Sequence, residues 1–255
     1  MNLTAVVLAK NEEKNIVACL QSLSFCDRVV VLDDNSTDNT AALARKESAE
    51  VINAPVNDNF ATQRNKAMNM VKTDWLLFVD ADERVTPELR DEIQSVLQHP
   101  TCDVYAIKRI DVFWGKKLAL GELYKAAHQG FARLMKKDTG HWEGTIHECF
   151  ATNRNTCTLE HPLIHHAHDS IKGFLLSVNT YSTIRAKELM KQGIQPSLFH
   201  LIFFPLGKFF YTYFFLLGCV EGVQGFIYSF IMSFHSFLVR AKLYQYTMID
   251  DTSSR

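Results

Sequence analysis

The chain has 255 residues, with 27 lysines and arginines against 28 aspartates and glutamates, and its formal net charge is −1. This length suits one large domain or a domain with an appendage, and the near-zero charge argues against a general affinity for nucleic acid. Six scattered cysteines without a CxxC pair predict a reducing compartment rather than a disulfide framework. The charged residues 10–13 follow the first apolar residues too closely for a signal peptide, so we expect a cytosolic protein.

Residues 1–100 alternate short apolar runs with helical patterns. The runs 5–9, 29–32, 51–52 and 75–79 predict strands, and residues 16–23, 40–46, 61–71 and 88–97 predict the helices between them. This alternation predicts an α/β fold with a doubly wound, mostly parallel sheet. Because crossovers between parallel strands are right-handed, all the strand C-termini are expected at one edge.

The apolar run 75–79 ends abruptly in Asp80, Asp82 and Glu83. Carboxylates at the C-terminal end of a buried strand lie where open α/β sheets bind their ligands. Asp80 and Asp82 are two residues apart, so on an extended backbone they point the same way and suit a divalent cation with its phosphates. Alternatively, Asp82 and Glu83 only cap the helix that begins near Thr86.

A second predicted strand ends in Asp33 and Asp34, just before the helix-capping residues 36–40. One carboxylate there can accept a hydrogen bond from a nucleobase, and another can hold ribose hydroxyls. The alternative is a capped helix start without a ligand.

No glycine-rich phosphate loop follows the first strand, because residues 10–14 (KNEEK) occupy that position. A diphosphate at this edge must therefore be neutralised by a metal and basic side chains. Asp80 and Asp82 are the candidates for binding that metal, and Arg64 is a candidate basic side chain. The alternative for Arg64 is a solvated charge on a helix surface.

Residues 101–170 form a second region with predicted strands at 104–109, 131–135 and 163–168, and we expect it to be a lobe that holds an acceptor. His161, His165, His166 and His168 match no common zinc spacing. Alternation along a strand would place His165 and His166 on opposite faces, which leaves His165 as a possible added metal ligand.

Residues 171–255 form the third region, with an ordinary helix predicted at 171–190 and aromatic-rich runs at 198–220 and 226–239. Pro205 is expected to break or kink the first run. Because a spanning helix needs about 20 mostly apolar residues without central charge, we expect these helices to lie in the membrane interface. A hydrophobic hairpin packed on the domain or on a second subunit is the alternative.

Four motifs in order carry a family resemblance: residues 9–13 (AKNEE), 31–38 (VLDDNSTD), 63–65 (QRN) and 80–83 (DADE). Together they resemble the family-2 glycosyltransferases of the GT-A fold. Residues 144–148 (GTIHE), residues 162–165 (PLIH) and the aromatic C-terminal helices further resemble one branch, the small bacterial glucosyltransferases of the lipopolysaccharide or lipooligosaccharide core.

The resemblance implies an inverting enzyme with a UDP-sugar donor, in which the first acidic strand tip binds uridine and the second holds Mn²⁺ or Mg²⁺ on the diphosphate. The implied residues are Asn11, Glu13, Asp33, Asp34, Arg64, Asp80 and His147 for the substrate, and Asp80 and Asp82 for the metal. The pair Asp34-Asn35 departs from the Ser-Gly of many relatives, which leaves the base contacts open.

An inverting transfer also needs a base for the acceptor hydroxyl, and a carboxylate within hydrogen-bond reach suffices. Glu148 is the best candidate, with His147 beside it, and Glu143 and Asp111 are rivals. The alternative for Glu148 is a structural partner of a buried cation.

By resemblance, the expected reaction moves a hexose, with glucose from UDP-glucose as the expected donor, onto the inner-core heptose of lipopolysaccharide. The protein would work peripherally on the cytoplasmic face of the inner membrane. The alternatives are a sugar transferase acting on polyprenyl phosphate, a nucleotidyltransferase and a non-catalytic membrane-bound scaffold.

Overall fold

The computed structural model describes residues 2–56, 59–144, 148–166 and 168–253. The strands are β1 (Leu3–Ala9), β2 (Arg28–Asp33), β3 (Glu50–Asn53), β4 (Trp75–Asp80), β5 (Glu83–Val85), β6 (Val104–Ile107), β7 (Arg109–Phe113), β8 (Lys116–Leu118), β9 (Phe131–Lys136), β10 (His141–Glu143), β11 (Cys149–Ala151), β12 (Thr156–Thr158) and β13 (Leu163–His165). The α-helices are α1 (Ile16–Ser22), α2 (Thr40–Lys46), α3 (Phe60–Met70), α4 (Pro87–Gln98), α5 (Tyr124–His128), α6 (Ile171–Lys191), α7 (Leu198–Phe210) and α8 (Gly222–Ser253).

The chain divides into two compact units. The first comprises Met1–Asp111 and Lys125–His166, and the second comprises Val112–Tyr124 and Ala167–Arg255. The three regions expected from the sequence, 1–100, 101–170 and 171–255, stay a prediction about how the chain is organised.

The first unit is built on a seven-stranded sheet in the order β12-β6-β9-β4-β1-β2-β3. Neighbours from β4 to β3 are parallel, β9 runs antiparallel to β4 and β6, and β12 is parallel to β6. The predicted α/β fold with a mixed, mostly parallel sheet is therefore confirmed.

Both faces of this sheet are covered, which explains why its central strands read as unbroken apolar runs. Successive side chains of β4 point to opposite faces. Leu77 packs in one core cluster with Ile16 of α1 and Ile93 of α4, whereas Phe78 packs in another with Met68 of α3. Burial on both faces fixes the strand, so Asp80 is held where the strand ends.

A second sheet contributes β5, β13 and residues 109–111 of β7 to the first unit. His165 on β13 lies opposite Glu83 on the antiparallel β5 and opposite Asp111 on the parallel β7. The sequence analysis did not predict β5. It predicted one strand over residues 104–109, whereas β6 ends at Ile107 and β7 begins at Arg109. This small sheet therefore brings three ionisable residues side by side.

The cysteines depart from the sequence expectation. Cys102 and Cys157, which are 55 positions apart in the chain, form a disulfide with their Cα atoms 6.0 Å apart. The parallel pairing of β12 with β6, in which Cys157 lies opposite Tyr105, brings the two together. Spacing alone could not reveal this contact because it depends on long-range strand pairing.

The second unit is largely helical. Phe113, Phe174 and Tyr228 pack edge-on or tilted against one another in its core. The sequence predicted a break or a kink at Pro205. The α7 helix does not break there but continues to Phe210. A π-helical turn, Tyr211–Phe215, follows.

Two segments of this unit are long and apolar enough to cross a membrane, judged by length and composition only. They are Leu198–Phe215 and Gly218–Ile249, each with a mean hydropathy of 1.3. In α7, which the structure describes in full, no residue is buried. The long apolar C-terminal helices expected from the sequence are thus present, and α8 extends well beyond the predicted 226–239.

Candidate functional site

The two acidic strand tips lie at the same edge of the main sheet. Asp33 at the end of β2 lies opposite Ala9, and Asp80 at the end of β4 lies opposite the adjacent Leu8. With one strand between them, the two acids are about 10 Å apart at the usual strand spacing. The predicted gathering of these acids at one edge is therefore confirmed by the register of β1.

Asp80 is held by two guanidinium groups. Its Oδ1 accepts a hydrogen bond from Nη2 of Arg64 at 3.1 Å, and its Oδ2 accepts one from Nη2 of Arg133 at 2.8 Å. Burial favours the neutral acid, but the charges of Arg133 and Arg64 outweigh it and hold the pKa of Asp80 well below its usual range. Asp80 is therefore a carboxylate at the sheet edge.

Glu83 is 0 % exposed and does not cap a helix, so that interpretation of Glu83 is wrong. The α4 helix is capped by Thr86, whose Oγ1 accepts a hydrogen bond from the Leu89 N–H at 3.1 Å. Glu83 instead accepts hydrogen bonds from the backbone N–H of Asp80 at 2.9 Å and from Nη2 of Arg133 at 2.9 Å. Its burial raises its pKa, against the opposing effect of Arg133.

Arg64 projects from α3 into the interior, so the alternative of a solvated helix charge is wrong. The guanidinium carbon lies 4.8 Å from the ring centroid of Trp142. Nε donates to Oε1 of Glu148 at 2.9 Å. Arg64 therefore joins the predicted metal ligand Asp80 to the predicted base Glu148. The contact also fits the alternative that Glu148 is the partner of a buried cation, so its role as a base stays a prediction.

His165 lies between two carboxylates. Its Nε2 is 3.3 Å from Oδ2 of Asp82 and its Nδ1 is 3.0 Å from Oδ1 of Asp111. Burial disfavours the imidazolium, yet the Asp82 and Asp111 carboxylates raise the pKa of His165 to about 10. His161, another of the histidines considered from the sequence, has different surroundings and pairs with Glu92 at 2.8 Å.

These groups form one chain of alternating charge. Arg109 connects its two parts, since its Nε lies 3.2 Å from Asp111 and its Nη1 lies 3.8 Å from Glu83. In order, the members are Asp82, His165, Asp111, Arg109, Glu83, Arg133, Asp80, Arg64 and Glu148. We call this set the charge chain. It links the predicted metal ligands to the predicted base.

Arg109 and Arg133 were missed by the sequence reasoning. A signal existed for Arg133, because it stands within the apolar run 131–135 that was predicted as a buried strand. An arginine at such a position is almost never fully buried unless it is paired. It therefore pointed to a buried acid, although the sequence could not identify Glu83 and Asp80 as its partners.

At the β2 end of the edge, Asp33 and Asp34 differ in how their oxygens are used. Both oxygens of Asp34 are engaged, by Lys10 Nζ at 2.8 Å and by the Val56 N–H at 2.9 Å. Asp33 is 6 % exposed, and its Oδ2 accepts from the Ser36 N–H at 3.3 Å. Its buried Oδ1 has no hydrogen-bond partner among the residues that the structure describes, which marks it as an acceptor for a ligand.

Asn11 and Glu13, predicted to bind substrate, hold the loop that follows β2. Asn11 Oδ1 accepts from the Thr37 N–H at 2.7 Å, and Glu13 Oε2 accepts from the Asn39 N–H at 3.2 Å. They shape the rim beside Asp33. His147, the remaining predicted substrate residue, lies outside the described residues.

Asp80 and Asp82 are the carboxylates near the end of β4 that could hold a hard divalent cation. Over the parts of the chain that the structure describes, no cluster of three His, Cys, Asp or Glu side chains has the geometry of a metal site. Mg²⁺, however, is commonly bound by one or two carboxylates plus phosphates and water.

Comparisons with known proteins agree with this geometry. The family model described as glycosyl transferase family 2 matches residues 4–157. An uncharacterized glycosyltransferase of Rickettsia typhi is 31% identical, covering 94% of this chain and 86% of that protein. The lipopolysaccharide core biosynthesis glycosyltransferase LpsC of Rhizobium meliloti is 28% identical, covering 95% of this chain and 92% of that protein.

Solved structures show the same fold. Glucosyl-3-phosphoglycerate synthase from Mycobacterium tuberculosis, in complex with Mn²⁺, UDP and phosphoglyceric acid, aligns with a TM-score of 0.52 at 16% identity. The alignment covers 77% of this chain and 80% of that one.

Proposed function

The chain belongs to glycosyl transferase family 2 and is a glycosyltransferase, and from that premise we propose that it transfers a hexose from UDP-glucose, with inversion, to a lipid-linked saccharide at a membrane surface. The observation that carries the proposal is the pair of acidic strand tips either side of β1. One offers a buried oxygen of Asp33 that has no partner within the described parts of the chain, and the other offers Asp80 and Asp82.

On this proposal, Asp33 receives the uridine, because its free Oδ1 can accept an N–H or O–H from the nucleoside. Asp80 and Asp82 would hold a divalent cation on the diphosphate, with His165 beside Asp82. The UDP and Mn²⁺ bound by the mycobacterial synthase support this assignment. When bound, such a cation stabilises negative charge on the departing diphosphate.

Glu148 is the proposed base. It takes the proton of the acceptor hydroxyl as that oxygen bonds to the anomeric carbon from the face opposite the diphosphate. The bond from the anomeric carbon to the diphosphate oxygen breaks, and its electrons leave with UDP. Arg64 fixes Oε1 of Glu148 by its 2.9 Å hydrogen bond, and orientation of this kind is what general-base catalysis requires.

The proposed acceptor is the inner-core heptose of lipopolysaccharide, supported by the similarity to LpsC over 95% of the chain. Its lipid would keep the acceptor at the cytoplasmic face of the inner membrane. The exposed apolar side chains of the second unit support contact with that surface. They include Phe203, Phe210, Phe215 and Val223, each more than half exposed, and patches this extensive mark interaction sites.

An in-plane position of α7 and α8 is favoured over a crossing. The connection between them is tied to residues 112–124 of the same unit, since Glu221 Oε1 accepts from the Ala119 N–H at 2.9 Å. Lys208, within α7, pairs with Glu122 at 2.6 Å. A hairpin that crossed the bilayer would carry these charged groups into the hydrocarbon, where their burial is costly.

The decisive experiment incubates purified full-length protein with UDP-glucose, Mg²⁺ or Mn²⁺, and a truncated core acceptor that ends in heptose. Release of UDP with formation of a glucosylated core is the expected result. Transfer only to polyprenyl phosphate would replace the acceptor assignment. Release of pyrophosphate from a nucleoside triphosphate, or no reaction with any of these substrates, would overturn the proposal.

A further inference from the structure

A closed ring of hydrogen bonds surrounds Asp80. Its backbone N–H donates to Oε2 of Glu83 at 2.9 Å. Oε1 of Glu83 accepts from Nη2 of Arg133 at 2.9 Å, and the same nitrogen donates to Oδ2 of Asp80 at 2.8 Å. Glu83 thereby holds the main chain of Asp80 directly and the side chain of Asp80 through Arg133.

The ring is buried, although one of its members reaches the site. Glu83 is 0 % and Arg133 is 5 % exposed, whereas the side chain of Asp80 is 30 % exposed. Taking an acid and a guanidinium out of water is costly, and apolar residues of similar size often stabilise a fold as well or better. The buried pair therefore calls for a role other than stability.

We propose that Glu83 and Arg133 are positioning residues that fix the carboxylate of Asp80 for the divalent cation. This inference rests on the proposed function, because it assigns Asp80 to the metal. Groups that hydrogen-bond to metal-binding carboxylates orient them, and their substitution commonly lowers metal affinity 10- to 100-fold.

The geometry defines the substitution that tests it. Both oxygens of Glu83 accept hydrogen bonds from N–H donors, so an amide cannot replace the carboxylate without turning an NH₂ group towards a donor. E83Q keeps the volume of the side chain yet breaks one side of the ring. R133K leaves a single ammonium in place of the guanidinium fork and provides a second test if E83Q does not fold.

The experiment measures Mn²⁺ affinity by electron paramagnetic resonance and UDP affinity by calorimetry, with and without Mn²⁺, for the full-length protein. E83Q is expected to bind Mn²⁺ about 10-fold more weakly and to bind metal-free UDP within twofold of the wild type. R133K should show the same pattern. E92Q is the matched control, because Glu92 also accepts two backbone N–H bonds, from Glu160 and His161, but lies outside the charge chain.

The outcomes are distinct. Unchanged Mn²⁺ affinity in folded E83Q and R133K would overturn the positioning role. An equal loss of Mn²⁺ and metal-free UDP binding would also overturn it, since that is the effect of a general structural defect. If the wild type itself binds neither UDP nor Mn²⁺, the proposed function fails instead.

Discussion

Arg64 donates its Nε–H to Oε1 of Glu148 at 2.9 Å, although 84 residues separate the two in the chain. The same guanidinium reaches Asp80 at 3.1 Å. The buried guanidinium of Arg64 thus lies between the proposed base and the proposed metal ligand and contacts both. Removing the charge of Arg64 would take a buried counter-charge from both carboxylates, so isosteric substitutions are the informative ones.

E148Q is expected to lower kcat by about 10²- to 10⁴-fold, the usual contribution of a general base, and to leave UDP binding intact. The amide oxygen can still accept from Arg64, so the local fold is retained. Turnover and UDP affinity check this. E143Q tests the rival base, and because Glu143 is exposed and pairs with His141, near-wild-type turnover is expected. Near-normal turnover in E148Q would reassign the base.

D82A is expected to abolish transfer while the protein stays folded. A strand-tip acid contributes little to the apolar core, and His165 keeps its contact with Asp111 at 3.0 Å when Asp82 is removed. Turnover at saturating Mg²⁺ and a thermal unfolding curve are the measurements. Retained activity in the folded variant would remove Asp82 from the metal site.

Glu12 should make stability depend on pH. Burial, the largest effect, raises the pKa of Glu12 from 4.5 to about 7, against a hydrogen bond from Asn15. The folded state therefore holds this proton more tightly than the unfolded state, so its stabilising effect is full below pH 4.5 and is lost as the pH rises through about 7. E12Q should flatten the fall in Tm between pH 5 and pH 8. A parallel fall in both proteins would contradict this assignment.

F215E should weaken membrane binding. Phe215 is 78% exposed in the π-helical turn, and burying such a side chain is worth about 1.5–3 kcal/mol. Flotation with anionic vesicles should therefore show a loss of at least about tenfold in partitioning. L176E, at an exposed position of α6, is the control and should bind as the wild type does. Equal binding by F215E and the wild type would exclude this face from the interface.

Much of the fold followed from local pattern. Strands β1, β2 and β4 were predicted within a residue or two of their observed ends, because a sheet covered on both faces leaves continuous apolar runs in the sequence. The shared edge of Asp33 and Asp80 also followed, since right-handed crossovers place the ends of parallel strands together. The Cys102–Cys157 disulfide did not follow, because it depends on the pairing of β12 with β6.

The sequence by itself determined which residues end the parallel strands, and its motifs carried the resemblance to the family that the chain belongs to. Only the tertiary structure decided how the charges pair. Glu83, for which a helix cap was the alternative, is a buried partner of Arg133, 50 residues away. Arg64, a candidate for neutralising the diphosphate, links Asp80 and Glu148. The reason is physical: strand and helix patterns repeat over a few residues, whereas the strength of an ion pair depends on distance and burial in space.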